Sequence, residues 1–145
     1  MSELGTLILA RAQGRDLLLE ASQILEVLPA ASVTPLPGPV PGIAGVLLYH
    51  GEFMPVLDWN ALPGHPGGMI WASALAILKR RLALPLEGIS GVLEQPRGEG
   101  PGLEPAEGDP WEEVLACRCT VGGVPMPLLD SDKLVGWLHH QRAKR

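Results

Sequence analysis

Two segments of this chain repeat each other, and that repeat constrains the fold more than any other sequence feature. Residues Gly51–Leu62 and Gly123–Leu134 share Gly, Met, Pro, Leu, Asp and Leu at matching places. A second pair of segments, Leu17–Leu28 and Leu82–Leu93, runs in the same order and shares two Leu, Ile, Val and a final Leu. Two echoes in one order predict two β units of about seventy residues that are built alike.

Short apolar runs between turn residues predict the strands of these units. The predicted strands, in chain order, are Leu7–Ala10, Leu17–Leu19, Ile43–Leu48, Phe53–Leu57, Met69–Leu78, Leu82–Leu86, Ile89–Leu93, Glu113–Val121 and Val124–Leu129. A single open sheet with one face exposed to solvent would show alternating apolar and polar residues, and these runs alternate too little for that. An all-β fold follows, with two small antiparallel five-stranded barrels that meet at a hydrophobic junction.

The segments between the strands give the remaining structure. Pro35–Pro41 carries four prolines at alternate positions and predicts a stiff extended connector. Residues 63–68 and Gln95–Pro110 are rich in Gly and Pro and predict loops, the second of them a flexible surface loop. Asp58 is placed to cap a short helix, and Asp130 or Ser131 to cap a C-terminal helix that ends near Gln141.

Composition excludes several functional classes. The formal net charge is -5 over 145 residues, and only the tail Arg142–Arg145 is basic, so we expect no nucleic-acid binding. No apolar run is long enough for direct membrane insertion, and no signal peptide is visible. The two cysteines, Cys117 and Cys119, are two positions apart on a strand and are expected to be reduced thiols, which fits a cytoplasmic location.

The sequence carries no convincing catalytic or metal-binding pattern. His50, Glu52 and Asp58 could suggest acid–base chemistry, but no nucleophile elbow or phosphate-binding loop accompanies them. Asp58 and Asp130 hold equivalent places in the repeat, which favours helix capping over catalysis. We therefore expect no catalytic residue, no metal and no cofactor, and a solvated His139–His140 pair.

The ordered motifs resemble the CheW-like domain, the adaptor module of bacterial chemosensory systems. The resemblance rests on Gln23–Val27, on Thr34–Pro37, on Gly45–Val46, on the turn Leu48–Gly51, on Pro55–Asp58, and on Leu128–Asp130 with Lys133–Leu134. It implies two five-stranded SH3-like barrels with a C-terminal helix, arranged as one domain of two intertwined subdomains over residues 5–138. Residues 139–145 would then be a basic tail.

The same resemblance implies what the protein does. Such domains are not enzymes; they couple the cytoplasmic tip of a chemoreceptor to the regulatory domain of a CheA-type histidine kinase. The residues that match the partner-binding positions of the family lie in two segments. They are Ile24, Glu26 and Val27 in the first, and Val46, Leu48, His50 and Gly51 in the second.

One departure from the family pattern affects this expectation. The family places an arginine where this chain has His50, and an imidazole cannot replace the fork of five donors of a guanidinium. The chain therefore resembles a divergent adaptor of the kind used in twitching motility. The alternative is a stand-alone small-barrel interaction module, or a regulator that no longer binds receptor arrays.

Overall fold

Most of the chain is described by a computed structural model, which covers residues 5–29, 33–38, 40–63, 72–94 and 103–143. The predicted loop 64–68, positions 69–71 of a predicted strand, and residues 95–102 lie outside the described residues. The strands are β1 Leu7–Ala12, β2 Arg15–Glu20, β3 Ile24–Pro29, β4 Ile43–Tyr49, β5 Glu52–Leu57, β6 Ala74–Leu78, β7 Ala83–Leu86, β8 Gly88–Leu93, β9 Leu103–Glu104, β10 Leu115–Val121 and β11 Val124–Leu129. Among the described residues there is one α-helix, α1, which spans Ser131–Ala143, and short 3-10 helices cover Ala21–Gln23, Trp59–Ala61 and Glu112–Val114.

The strands form two sheets, as the repeat predicts. Sheet A has the order β8-β1-β2-β11-β10-β9, and sheet B has the order β3-β6-β7-β5-β4. The first five strands of sheet A correspond one by one to the five strands of sheet B. The fold is thus the predicted pair of small barrels, with the two-residue strand β9 as an addition to sheet A.

The register shows that the repeat is structural. In sheet B, Val56 pairs in parallel with Ala83, and in sheet A, Leu128 pairs in parallel with Leu18. Val56 and Leu128 are equivalent in the first sequence echo, and Ala83 and Leu18 are equivalent in the second. The prediction of purely antiparallel units is therefore wrong at one strand pair in each sheet.

The two barrels exchange strands. After β2 the chain leaves sheet A and enters sheet B as β3, and after β7 it leaves sheet B and enters sheet A as β8. Each crossing occurs at an equivalent point of the repeat, directly after the second strand of a hairpin. Each barrel therefore contains a strand that the sequence places next to the other barrel.

Three clusters of buried side chains account for the nearly continuous apolar runs. Leu47, Met54 and Val56 belong to the interior of barrel B, while Leu18 and Leu128 belong to that of barrel A. The largest cluster joins residues of both sheets with α1, and its members include Leu17, Leu19, Leu57, Leu84, Trp59, Trp111, Leu134 and Trp137. Because strands such as β2 are buried on both faces, they lack polar alternation. The expected hydrophobic junction is this largest cluster.

The helix caps agree with the sequence pattern, while one predicted loop does not. Asp58 accepts a hydrogen bond from the Asn60 backbone N–H at 3.0 Å, and Asp130 accepts from the N–H groups of Asp132 and Lys133 at 2.9 and 3.0 Å. In the surface loop predicted over Gln95–Pro110, Leu103–Glu104 form the strand β9 instead. Residues 105–110 are turns and irregular structure, as predicted, but the Asp109 side chain among them is only 6% exposed.

Candidate partner-binding surface

The turn between β4 and β5 has an unusual backbone. His50 and Gly51 connect the strands with φ of 48° and 79°, the left-handed pair that a two-residue hairpin of this twist requires. Glycine adopts such angles freely, whereas histidine does so with strain. The equivalent turn of barrel A uses Gly122 and Gly123. The turn geometry requires the positive φ, but it does not explain why a histidine rather than a glycine occupies the first position.

Glu26 connects the two ends of sheet B. It lies on β3, at one end of the strand order, yet the Tyr49 hydroxyl from β4 at the other end donates a hydrogen bond to its Oε1. His50 Nε2 lies 3.5 Å from the same oxygen, and the Tyr49 and His50 rings meet edge-on with centroids 4.2 Å apart. These contacts close sheet B into a barrel.

The three-residue contact affects proton binding. The Tyr49 hydrogen bond, opposed by some desolvation and aided by His50, holds the pKa of Glu26 below its ordinary value. The same hydrogen bond raises the pKa of Tyr49, because a phenolate could not donate it. Both shifts have the same main cause, the hydrogen bond that joins β3 to β4.

One face of the β4–β5 hairpin is apolar and exposed. Leu48 and Phe53 are directly paired across the two strands, with 62% and 72% of their surface exposed. Val46 and Pro55 form the next pair on the same face and are half-buried. We call these four residues the hairpin patch. Exposed apolar groups this close together mark interaction sites more often than scattered ones do.

The hairpin patch has no counterpart on barrel A. The equivalent positions there hold Arg118, Thr120, Pro125 and Pro127, of which only the prolines are apolar. Both hairpins thus have the same fold, but the β4–β5 hairpin exposes an aliphatic and an aromatic side chain on this face. The two halves therefore offer different chemistry to a partner.

The structure distributes the predicted binding residues over several environments. Glu26, His50 and Gly51 come together at the barrel closure, and Leu48 lies on the hairpin patch. Val27 is 36% exposed on β3. Ile24 is half-buried and packs against the junction cluster. Val46 is also half-buried, and its backbone pairs with Thr34 through bonds of 2.8 and 2.9 Å.

The sequence interpretation left three exposed or bridging residues out of the site. Tyr49 makes the barrel-closing bond, Phe53 is the most exposed large apolar residue of the hairpin patch, and Leu25 on β3 is 54% exposed. Counting outward from the turn would have revealed Phe53, since the second residues on either side of a two-residue turn share a face.

Comparison with known proteins decides the family. A model of the CheW-like domain matches residues 6–139, which is nearly the whole chain. The chain belongs to the CheW-like domain family. Among solved structures, the scaffolding protein TtCheW from Thermoanaerobacter tengcongensis matches with a TM-score of 0.73 and 15% identity, over 90% of this chain and 86% of that one. No curated protein matches significantly. At that identity the structural match shows the shared fold.

Membership in the CheW-like family supports a non-catalytic adaptor role in chemosensory signalling. Two of the side chains considered for acid–base chemistry have structural partners in this CheW-like domain. Glu52 forms an ion pair with Arg81, and Asp58 caps the 3-10 helix Trp59–Ala61. Within the described residues, no group of His, Cys, Asp and Glu could hold a metal ion, and no helix is long and apolar enough to cross a membrane.

Proposed function

We propose that this CheW-like domain is a cytoplasmic adaptor that couples a chemoreceptor tip to the regulatory domain of a CheA-type histidine kinase. The observation that carries the proposal is the family match over residues 6–139, together with the two-barrel fold. The exposed apolar side chains on one hairpin and on β3 support it, because an adaptor without an active site acts through such surfaces.

The hairpin patch and the barrel closure are the proposed contact region. Leu48 and Phe53 supply apolar area, while Glu26 and His50, which meet at the turn of the same hairpin, supply a charge and a donor. An apolar centre with polar groups at its rim is the usual anatomy of a protein interface. Val27 and Leu25 extend this region along β3. In this arrangement Ile24 supports β3 from the core side.

The test is association of the purified chain with a CheA-type regulatory domain and with a receptor-tip fragment, measured by calorimetry. We expect the double variant Leu48→Ser, Phe53→Ser to weaken one of the two associations at least about tenfold. The matched control is Val124→Ser, which removes a 53% exposed apolar side chain from the equivalent hairpin of barrel A. Absence of any association with either partner would count against the adaptor function.

A second candidate function rests on His50. A stand-alone interaction module that lost array binding would keep the fold and lack the guanidinium expected at this turn. The variant His50→Arg separates the two functions. If it creates receptor binding that the natural chain lacks, the chain is a module that lost this contact; if the natural chain already binds, the adaptor function stands.

A further inference from the structure

Three sulfur-containing side chains share the interior of barrel A. Cys117 and Cys119 lie two positions apart on β10, so both point to the same face of the sheet. Met126 on β11 is paired directly with Cys119. All three belong to the cluster that contains Leu18 and Leu128. We call these three residues the sulfur group.

The two thiols have a separation that suits one metal ion between them. Cys117 Sγ lies 3.9 Å from Cys119 Sγ. At this separation, a metal–sulfur bond of about 2.3 Å to each sulfur gives an S–metal–S angle of about 115°. That angle lies between the tetrahedral and the trigonal value. Both thiols can therefore bind the same ion at their present separation.

Met126 supplies the third ligand that two thiols alone lack. It is directly opposite Cys119 and diagonal to Cys117 in the register of the β10–β11 hairpin. Opposite side chains of an antiparallel pair are in contact, and diagonal ones remain within reach of a long side chain. The methionine side chain is unbranched, flexible and ends in a polarisable thioether. The spacing of the cysteines shows only a pair of thiols, and the strand register adds the thioether.

The equivalent place in barrel B shows that packing does not require these thiols. Met54 corresponds to Met126 in the repeat and is likewise part of its barrel interior. It pairs with Leu47, whereas Met126 pairs with Cys119. Gly45 stands where barrel A has its other thiol. The same fold is thus filled without cysteine in one barrel, and sulfur is concentrated in the other.

The ligand set selects copper(I). Thiolate and thioether sulfur are soft ligands that suit this ion, while magnesium, calcium and manganese prefer oxygen. Zinc sites use thiolate, imidazole and carboxylate ligands, usually four of them. A set of two thiolates and one thioether therefore favours copper(I) over zinc.

The sulfur group can be reached from one side. Cys119 is fully buried, but Cys117 and Met126 are only half-buried. An ion therefore binds first to these two residues and then takes Cys119 as its innermost ligand. The aliphatic side chains of the cluster keep water away from that ligand.

We propose that barrel A binds one copper(I) ion through Cys117 Sγ, Cys119 Sγ and Met126 Sδ. Burial and the neighbouring Cys117 thiol raise the pKa of Cys119 to about 12, so this thiol is protonated before the ion binds. The ion displaces one proton from each thiol, both protons leave to solvent, and nothing is oxidised or reduced. The proposal is independent of the adaptor function, because none of these residues belongs to the hairpin patch.

Copper(I) titration of the reduced full-length chain under nitrogen tests the site, with bicinchoninate as the competing chromophore. We expect each chain to withdraw one ion from the competitor. Copper(I) has a filled d shell and is diamagnetic, so NMR can follow the same titration. The methyl resonance of Met126 should shift, and that of Met54 should stay in place. Absence of copper(I) uptake would overturn the proposal.

Three variants locate the site, and circular dichroism shows that each is folded. Cys117→Ser should lower the copper(I) affinity at least about a hundredfold, because a hydroxyl is a hard ligand. Met126→Leu keeps the side-chain volume and removes only the thioether, and it should lower the affinity at least about tenfold. The matched control, Met54→Leu at the equivalent place in barrel B, should leave the affinity unchanged.

Each contrary result has a definite meaning. Unchanged affinity in Cys117→Ser, equal losses in Met126→Leu and Met54→Leu, or a shift of the Met54 methyl would overturn the proposed site. Unchanged affinity in Met126→Leu would also overturn it, because the binding would then be adventitious capture by thiols. Displacement of the bound copper(I) by an equal concentration of zinc(II) would overturn the choice of ion.

Discussion

Trp59 and Trp111 stack on each other where the two barrels meet, with ring centroids 5.1 Å apart and planes 12° from parallel. Trp59 follows β5 of barrel B and donates its indole N–H to the Pro85 carbonyl at 2.7 Å. Trp111 precedes β10 of barrel A, and the Arg15 guanidinium lies 4.4 Å above its ring. The stack therefore joins the two barrels. The hydrogen bond to Pro85 fixes the Trp59 ring, and the Arg15 guanidinium packs on the Trp111 ring.

The substitution Trp111→Ala should destabilise the whole domain, since Trp111 is 2% exposed and belongs to the junction cluster. We expect the free energy of unfolding to fall by about 3 to 5 kcal/mol, measured by urea denaturation followed by circular dichroism. Leu103→Ala is the control, because Leu103 is 59% exposed and its loss should cost little. Equal effects of the two substitutions would show that the stack does not hold the barrels together.

Asp109 should make stability depend on pH in the acid range. Burial acts to raise its pKa, but hydrogen bonds from Arg15 and the Trp111 N–H, with the charges of Arg15 and Arg118, outweigh it and leave the pKa below the ordinary value. A lowered carboxyl pKa stabilises the fold above the unfolded value of about 3.9. That stabilisation is lost as the pH falls from there through the folded value.

The variant Asp109→Asn tests this dependence. It should lower the free energy of unfolding by about 2 kcal/mol at pH 7, because Arg15 loses a charged partner bonded at 2.7 and 3.0 Å. The deficit relative to the natural chain should shrink below about pH 4. Asp16→Asn breaks an ion pair that is nearly half exposed and should have little effect. A deficit of constant size at all pH values would contradict the assignment.

Gly45 allows the backbone of Thr34 to approach β4 closely enough to pair with Val46. A Cβ at this position would lie 2.5 Å from the Thr34 carbonyl oxygen and 2.8 Å from Val33 Cγ1. Gly45→Ala should therefore separate Thr34 from Val46 and cost about 1 to 3 kcal/mol of stability, measured by thermal denaturation. Gly88→Ala is the matched control, since nothing lies within 4 Å of its Cβ position. Equal melting temperatures of Gly45→Ala and Gly88→Ala would show that Thr34 moves aside at no cost in stability.

The strands and their turns could be predicted from the sequence because their signals are local. Gly122–Gly123 identified one hairpin, and the apolar runs beside Tyr49–Glu52 identified another. Asp58 and Asp130 were predicted as caps because capping depends on residues two or three positions away. The β9 pairing was missed since its partner, β10, lies more than ten residues further along the chain.

The candidate site was predictable only in part. His50 and Glu26 were both proposed, but their meeting depends on the ends of sheet B closing on each other. Only tertiary packing brings such groups into contact.

The sequence by itself determined that this chain forms two similar β units, because a repeat of apolar runs, turns and capping residues encodes the same local structure twice. Only the tertiary structure decided that β3 and β8 change barrels and that one strand pair in each sheet is parallel. It also decided that Leu48 and Phe53 stay exposed while Leu17 and Leu19 are buried in the junction. Periodicity identifies an apolar strand, but which of its faces meets another element depends on residues far away in the chain.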